Sequence, residues 1–221
     1  MAFAGIPAEG FQFLLEIRFN NNREWYQANR ERFNRCLRDP LYAMATELAQ
    51  TAQTIDPAID GRPHRIVARI YRDARRARGE FFRDHLWLSF KPVDRTVSAG
   101  VSFYFFLDPE QIGWGMGFYE QKVEQMNDFR ARIDAQPTLF HSIATDPALA
   151  PYALLGEDYA RPKKAGLDPA VARWYNKKTF WLEYTEPVSQ AAFAPELIER
   201  VRQGMVATGR LYRFINGMEV Q

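Results

Sequence analysis

The sequence is poor in the residues that usually announce chemistry. It has one cysteine, Cys36, and three histidines, His64, His85 and His141. A lone cysteine excludes an internal disulfide, and no Cys/His spacing matches a zinc site. No metal or other cofactor is expected. No serine sits in a nucleophile elbow, and no glycine-rich loop ends in Gly-Lys-Ser/Thr. No apolar run approaches the length needed to cross a bilayer. The first eight residues hold neither the basic cluster nor the apolar stretch of a secretory leader. The expected compartment is the cytoplasm, with no membrane partner.

What is present is an ordinary globular composition, 47% hydrophobic and 25% charged, with 17 Phe, 10 Tyr and 5 Trp in 221 residues. A chain of this length buries roughly 70% of its extended surface, so a core forms without covalent staples. Net charge is only +2, but it is unevenly spread. From Arg62 to Arg95 ten Lys/Arg face four Asp/Glu, a local +6 that leaves −4 for the rest. Nine of those ten cations are arginine, whose planar fork suits carboxylate and phosphate.

Periodicity predicts a helix opened by Pro7 with Phe11, Leu14, Leu15 and Ile17 on its apolar side. Asn21 and Glu24 have the spacing of a capping box for a second helix through Trp25, Ala28, Phe33 and Leu37. Pro40 is expected to kink or restart it, and Leu41 to Ile55 continue the stripe. His64–Tyr71 reads as a strand, as do Leu86–Phe90, Val97–Leu107 and its hairpin partner Ile112–Tyr119. Helices are expected around Val123–Ile133 and Pro137–Ala144. A strand follows within Trp174–Glu183, and a helix capped by Ser189. Gly204 and Gly209 bracket an expected break before a short closing helix, Leu211–Ile215. The order defines an α+β fold: N-terminal helices, a central antiparallel sheet and C-terminal helices. Residues 1–221 are expected to form a single domain. Any subdomain break falls in the turn-rich 151–169 loop.

Two segments stand out. Arg69, Arg72, Asp73 and Arg75 form an arginine cluster in which Asp73 orients the forks of its neighbours toward an anion. Asn22 and Arg23, at a helix start, add donors. The second segment alternates Gly113, Gly115 and Gly117 with Trp114, Met116 and Phe118. In a strand the glycines share one face, open to close packing or to a pocket floor. Two functions follow: an anion-recognising binding module, or an enzyme on a phosphorylated or nucleotide-like substrate. The latter needs a general acid or base, for which Asp73, Glu24 and His85 are the candidates. Glu183 and Glu186 would serve only if folding placed them in a cleft. A protein-interaction role predicts instead a large apolar patch. Arg75, Arg76, Arg78 and Arg83 with Tyr71, Phe81 and Phe82 have the elements of a single-strand nucleic-acid surface, but the balanced charge and the lack of a recognised motif count against that partner.

Phe13-Leu14, Asn21-Asn22-Arg23-Glu24-Trp25-Tyr26, Arg69-Ile70-Tyr71-Arg72-Asp73 with Arg75, and Gly115-Met116-Gly117-Phe118-Tyr119 together resemble domain-of-unknown-function family 2461, found in bacteria and fungi. Arg130 and the Lys177-Lys178 pair also sit where similar residues are expected. The resemblance spans most of the chain and implies one coherent domain; it implies no reaction. Family members usually continue from the Arg-Asp element into Ser-x-Asp-Lys-x-Pro-Tyr-Lys. This chain has Ala77-Arg78-Gly79-Glu80-Phe81-Phe82-Arg83-Asp84-His85 there, without the proline, the tyrosine or either lysine. If that run contacts a ligand in the family, the expected consequence is a different ligand here, or none.

Overall fold

The computed structural model describes residues 2–73, 80–93, 100–118 and 122–220. Pro7 has an extended backbone and no N–H to lose, and helix α1 begins just after it at Ala8–Phe19. Asn22, not Asn21, caps α2 (Arg23–Ala28): its Oδ1 accepts from Trp25 N at 2.8 Å. Asn21 does a long-range job. Its amide donates to Phe82 O (2.9 Å) and accepts from Phe82 N (2.8 Å), a side chain mimicking a strand partner. After a break at Asn29 the chain passes through α3 (Arg30–Phe33), a π-helical turn (Asn34–Arg38) and α4 (Asp39–Ile55). The wide turn answers Pro40: Asp39 N bonds back to Asn34 O, and the helix runs on past a residue that has no N–H. Cys36 lies buried in this turn, as expected of a packing cysteine.

The expected strand at His64–Tyr71 is not formed. Pro63 takes the first position of a short helix, α5 (Pro63–Ile66). Beyond it the chain makes only isolated bridges, Val67 to Leu88 and Tyr71 to Phe82. Asp60 anchors this corner. Its carboxylate accepts from Arg62 N (3.0 Å), Nε (2.8 Å) and Nη2 (2.6 Å), and these bonds lower its pKa to about 2. The stability contributed by a depressed carboxylate is fully present above the unfolded pKa of about 4 and lost as pH falls toward 2. Asp60→Asn should therefore destabilise the protein by about 1 kcal/mol near neutrality, with the difference vanishing near pH 2. Urea denaturation across that range checks it.

The strands are β1 (Leu86–Phe90), β2 (Val101–Leu107), β3 (Gln111–Phe118), β4 (Ala153–Leu155) and β5 (Trp181–Pro187). They form an antiparallel sheet in the order β1-β2-β3-β5-β4. α6 (Val123–Ala135), α7 (Pro137–Ala144) and α8 (Pro169–Tyr175) lie between β3 and β5 in sequence. The strand expected within Trp174–Glu183 is β5, which starts at Trp181, while Trp174 lies buried in α8. After β5 come α9 (Gln190–Phe193) and α10 (Leu197–Ile215). The fold is α+β, with helices leading and closing the chain around a central antiparallel sheet.

The predicted break at Gly204 and Gly209 does not occur; α10 runs through both. Gly204 lets the helix touch the sheet, since a Cβ there would lie 2.5 Å from the Trp114 ring. One sheet face is apolar (Leu88, Phe103, Phe105, Trp114, Met116, Leu182) and packs against α4 and α10, where Phe103 stacks on Tyr212 at 4.6 Å. Among the described residues no helix is long and apolar enough to cross a membrane.

Candidate functional sites

The arginine segment is largely tied into the protein. Arg72 is half-buried; its Nε donates to Phe82 O (3.0 Å) and Nη2 lies 3.0 Å from Glu80 Oε2. Arg83 Nη1 donates to Arg69 O (2.7 Å) and Tyr71 O (2.6 Å), while its guanidinium rests 4.9 Å over the Trp87 ring. Arg23 lies 5.0 Å over Phe81, and Asn22 is occupied with its cap. Asp73 is exposed; Arg75, Arg76 and Arg78 lie outside the described residues. Asp84 accepts from Arg18 Nε (2.7 Å) and sits 3.0 Å from His85 Nδ1. Burial works against its charge, but these bonds outweigh it and hold its pKa below the ordinary value.

Arg69 is different. It is exposed, with no ion pair among the described residues, and it lines a hollow of about 320 Å³. Arg30 and Arg38 line the same hollow from the α3 to α4 helix, and His64 from α5. Arg38 shares its charge with the neighbouring Asp39 (2.9 Å); Arg30, like Arg69, forms no ion pair among the described residues. Tyr71 and Tyr42 present exposed rings at the rim. Beneath them Tyr26 is buried, its phenol pKa raised by burial and by its hydrogen bond with Tyr71. No carboxylate lines this hollow among the described residues. Asp73, Glu24 and His85, the candidate acids and bases, do not line it either. Sequence reasoning passed over Arg30 and Arg38, which only the tertiary fold brings to Arg69.

The second concavity, about 400 Å³, lies on the sheet face opposite the helices. Strand register puts Ser89, Tyr104, Gly115 and Glu183 in one row, with Ser102, Gly117 and Trp181 in the next row across β2, β3 and β5. Of the glycine stripe, Gly117 alone lines the concavity; at Gly113 and Gly115 a Cβ would meet neighbouring atoms within 3 Å, so there the stripe serves close packing. With no side chain at 115, the Tyr104 ring reaches across β3, and its Oη meets Leu182 O at 3.0 Å and Glu183 Oε2 at 2.9 Å. Burial raises the Glu183 pKa, partly offset by the Tyr104 bond. Glu186, on the other face, is paired with Arg200, which holds its carboxyl below the ordinary range. Two acids that look alike in sequence therefore part company by strand parity. Among the described residues no cluster of His, Cys, Asp and Glu could hold a metal ion.

The fold and these sites describe an α+β protein with an arginine-lined hollow and a glycine-floored sheet cleft. The chain belongs to the family described as conserved hypothetical protein (DUF2461), whose profile matches residues 9–214. No curated protein matches it.

Proposed function

We propose that the protein recognises a small anion, a phosphate- or carboxylate-bearing molecule, in the hollow lined by Arg30, Arg38 and Arg69. The observation that carries this reading is the set of three guanidiniums around one concavity with no lining carboxylate among the described residues. The arginines that serve structure have their donors engaged, Arg72 on Phe82 O and Glu80, Arg83 and Arg130 on backbone carbonyls. Arg30 and Arg69 keep their forks for something else. The volume sits at the small end of ligand pockets, and the exposed Tyr71 and Tyr42 rings offer stacking faces to a ligand with a ring beside its anionic group. In this reading Arg72, with Asn21, holds the Phe82 backbone against which Tyr71 is set. Of the residues expected at the site, this reading keeps Arg69 and leaves out Arg72, whose fork is engaged by Phe82 O and Glu80.

A thermal-shift series over inorganic phosphate, sugar phosphates, nucleotides and dicarboxylates tests it, since a ligand that binds only the folded state raises the melting temperature. Arg69→Ala should leave the unliganded melting temperature within about a degree, because an exposed, unpaired side chain contributes little to stability. The same change should weaken the binding of any anionic hit by roughly tenfold or more, as loss of a charge-assisted hydrogen bond does. Affinity should also fall with added salt. A double variant, Arg30→Ala with Arg69→Ala, that binds every hit as tightly as the parent rejects the proposal.

A further inference from the structure

The sheet cleft has the opposite electrostatic character, and its case does not rest on the arginine-lined hollow. Its described lining holds one carboxyl group, Glu183, one histidine, His85, and no lysine or arginine. Glu183 is half-buried, forms no ion pair among the described residues, and meets Tyr104 Oη alone. The nearby cations are engaged elsewhere: Arg83 on two backbone carbonyls and the Trp87 face, Arg200 on Glu186 across the sheet. The Ser89 and Ser102 hydroxyls and the Trp181 ring line the cleft without a partner among the described residues. Trp87 stacks on His85 at 5.7 Å, Phe118 meets Phe180 edge-on at 5.8 Å and Tyr104 packs near Phe106 at 6.4 Å, whereas Trp181 has no ring partner among the described residues. Gly117 beside it keeps the floor flat.

Tyr104 has one hydroxyl hydrogen and two acceptors in reach, Leu182 O and Glu183 Oε2. That hydrogen is shared between the Leu182 carbonyl and the Glu183 carboxylate. Burial disfavours the Glu183 charge and outweighs the hydrogen bond that Tyr104 donates to it, so the carboxyl pKa is raised. A cation placed beside the carboxyl group acts the other way. We propose that this cleft binds a small planar organic cation, an amidinium or a protonated amine on a flat ring, with Glu183 as its counter-ion and Trp181 as its stacking face. Binding then lowers the Glu183 pKa and releases to solvent whatever proton the carboxyl holds. The other groups facing the site are Tyr104 and His85, with Asp84 behind His85 at 3.0 Å and Arg83 against Trp87. Protonation of Glu183 opposes a cation, so affinity rises with pH.

Benzamidine, its neutral isostere benzamide and the anion benzoate, each titrated into the 221-residue chain, discriminate the alternatives. Calorimetry in buffers of different ionisation enthalpy reads the proton count, and tryptophan emission reports the stacking. Benzamidine should bind with proton release, and benzamide roughly tenfold more weakly or not at all. Glu183→Gln should cut benzamidine affinity by roughly tenfold and abolish the buffer dependence, while anion binding at the Arg69 hollow is unchanged. Should that variant fail to fold, the benzamidine–benzamide comparison on the parent decides by itself. Equal affinity for the two probes, unchanged benzamidine binding by Glu183→Gln, or no binding at millimolar concentration overturns the proposal.

Discussion

Arg130→Ala should lower the unfolding free energy by about 3–5 kcal/mol, the largest loss expected from removing one charged side chain here. Arg130 is 6% exposed, on the inner face of α6. Its Nε donates to Tyr175 O (2.9 Å), its Nη2 to Lys177 O (2.6 Å) and its Nη1 to Asn127 Oδ1 (3.2 Å). The guanidinium also lies 5.3 Å from the Tyr159 ring. One planar fork thus fastens α6 to the chain leaving α8. Truncation leaves two buried carbonyls without donors, each costing about 1–3 kcal/mol, and adds a void. A lysine supplies a point charge and no fork, so Arg130→Lys should recover less than half of the loss. Equilibrium urea denaturation measures both variants. An Arg130→Ala protein within about 0.5 kcal/mol of the parent, the range of ordinary surface changes, would show the staple to be dispensable.

Gly115→Ala should cost about 3 kcal/mol, the upper end for an overpacked site, because the obstacle is backbone and cannot rotate away. A Cβ at 115 would stand 1.9 Å from Leu182 O and 2.9 Å from its carbonyl carbon. β5 must move, and with it the Tyr104–Glu183 hydrogen bond. Gly209→Ala is the internal control. A Cβ there would meet Ile55 Cδ1 at 3.4 Å, an ordinary contact, within a long helix. That change should be neutral or stabilise by up to about 1 kcal/mol. Melting curves of the two variants should therefore move in different directions or by very different amounts. Similar losses at both positions would refute the close-approach account of the stripe.

The α+β order was readable because the strand residues between 101 and 118 are dense in Val, Phe, Tyr and Trp, while the flanking helices keep apolar residues at helical spacing. The misread elements share a cause: local punctuation was allowed to outweigh tertiary packing. Gly204 reads as a breaker until Trp114 is seen to need the space. Pro63 reads as the end of a loop, yet it opens a helical turn that displaces the expected strand. Asn21, three residues before Glu24, reads as the better cap on paper, yet Asn22 caps the helix. Only the distant Phe82 backbone decides between them. The sites were legible in fragments. The glycine alternation was visible, and so was Glu183. Their meeting depends on a register that pairs Gly115 with both Tyr104 and Glu183, and a single strand's spacing does not contain that information. Arg69 was visible as one of several arginines, but its exposure against the pairing of Arg72 was not.

The π-helical turn at Asn34–Arg38 bears on how the hollow is assembled. Such a turn absorbs one residue without breaking the hydrogen-bonded run of the helix. In an unbroken α-helix two positions eight apart, like Arg30 and Arg38, would diverge by about 80° around the axis. With one residue absorbed between them they behave as positions seven apart, separated by only about 20°. The wide turn thus acts as a phase shifter, swinging the second guanidinium back over the first so that both overlook the cavity from a single ridge.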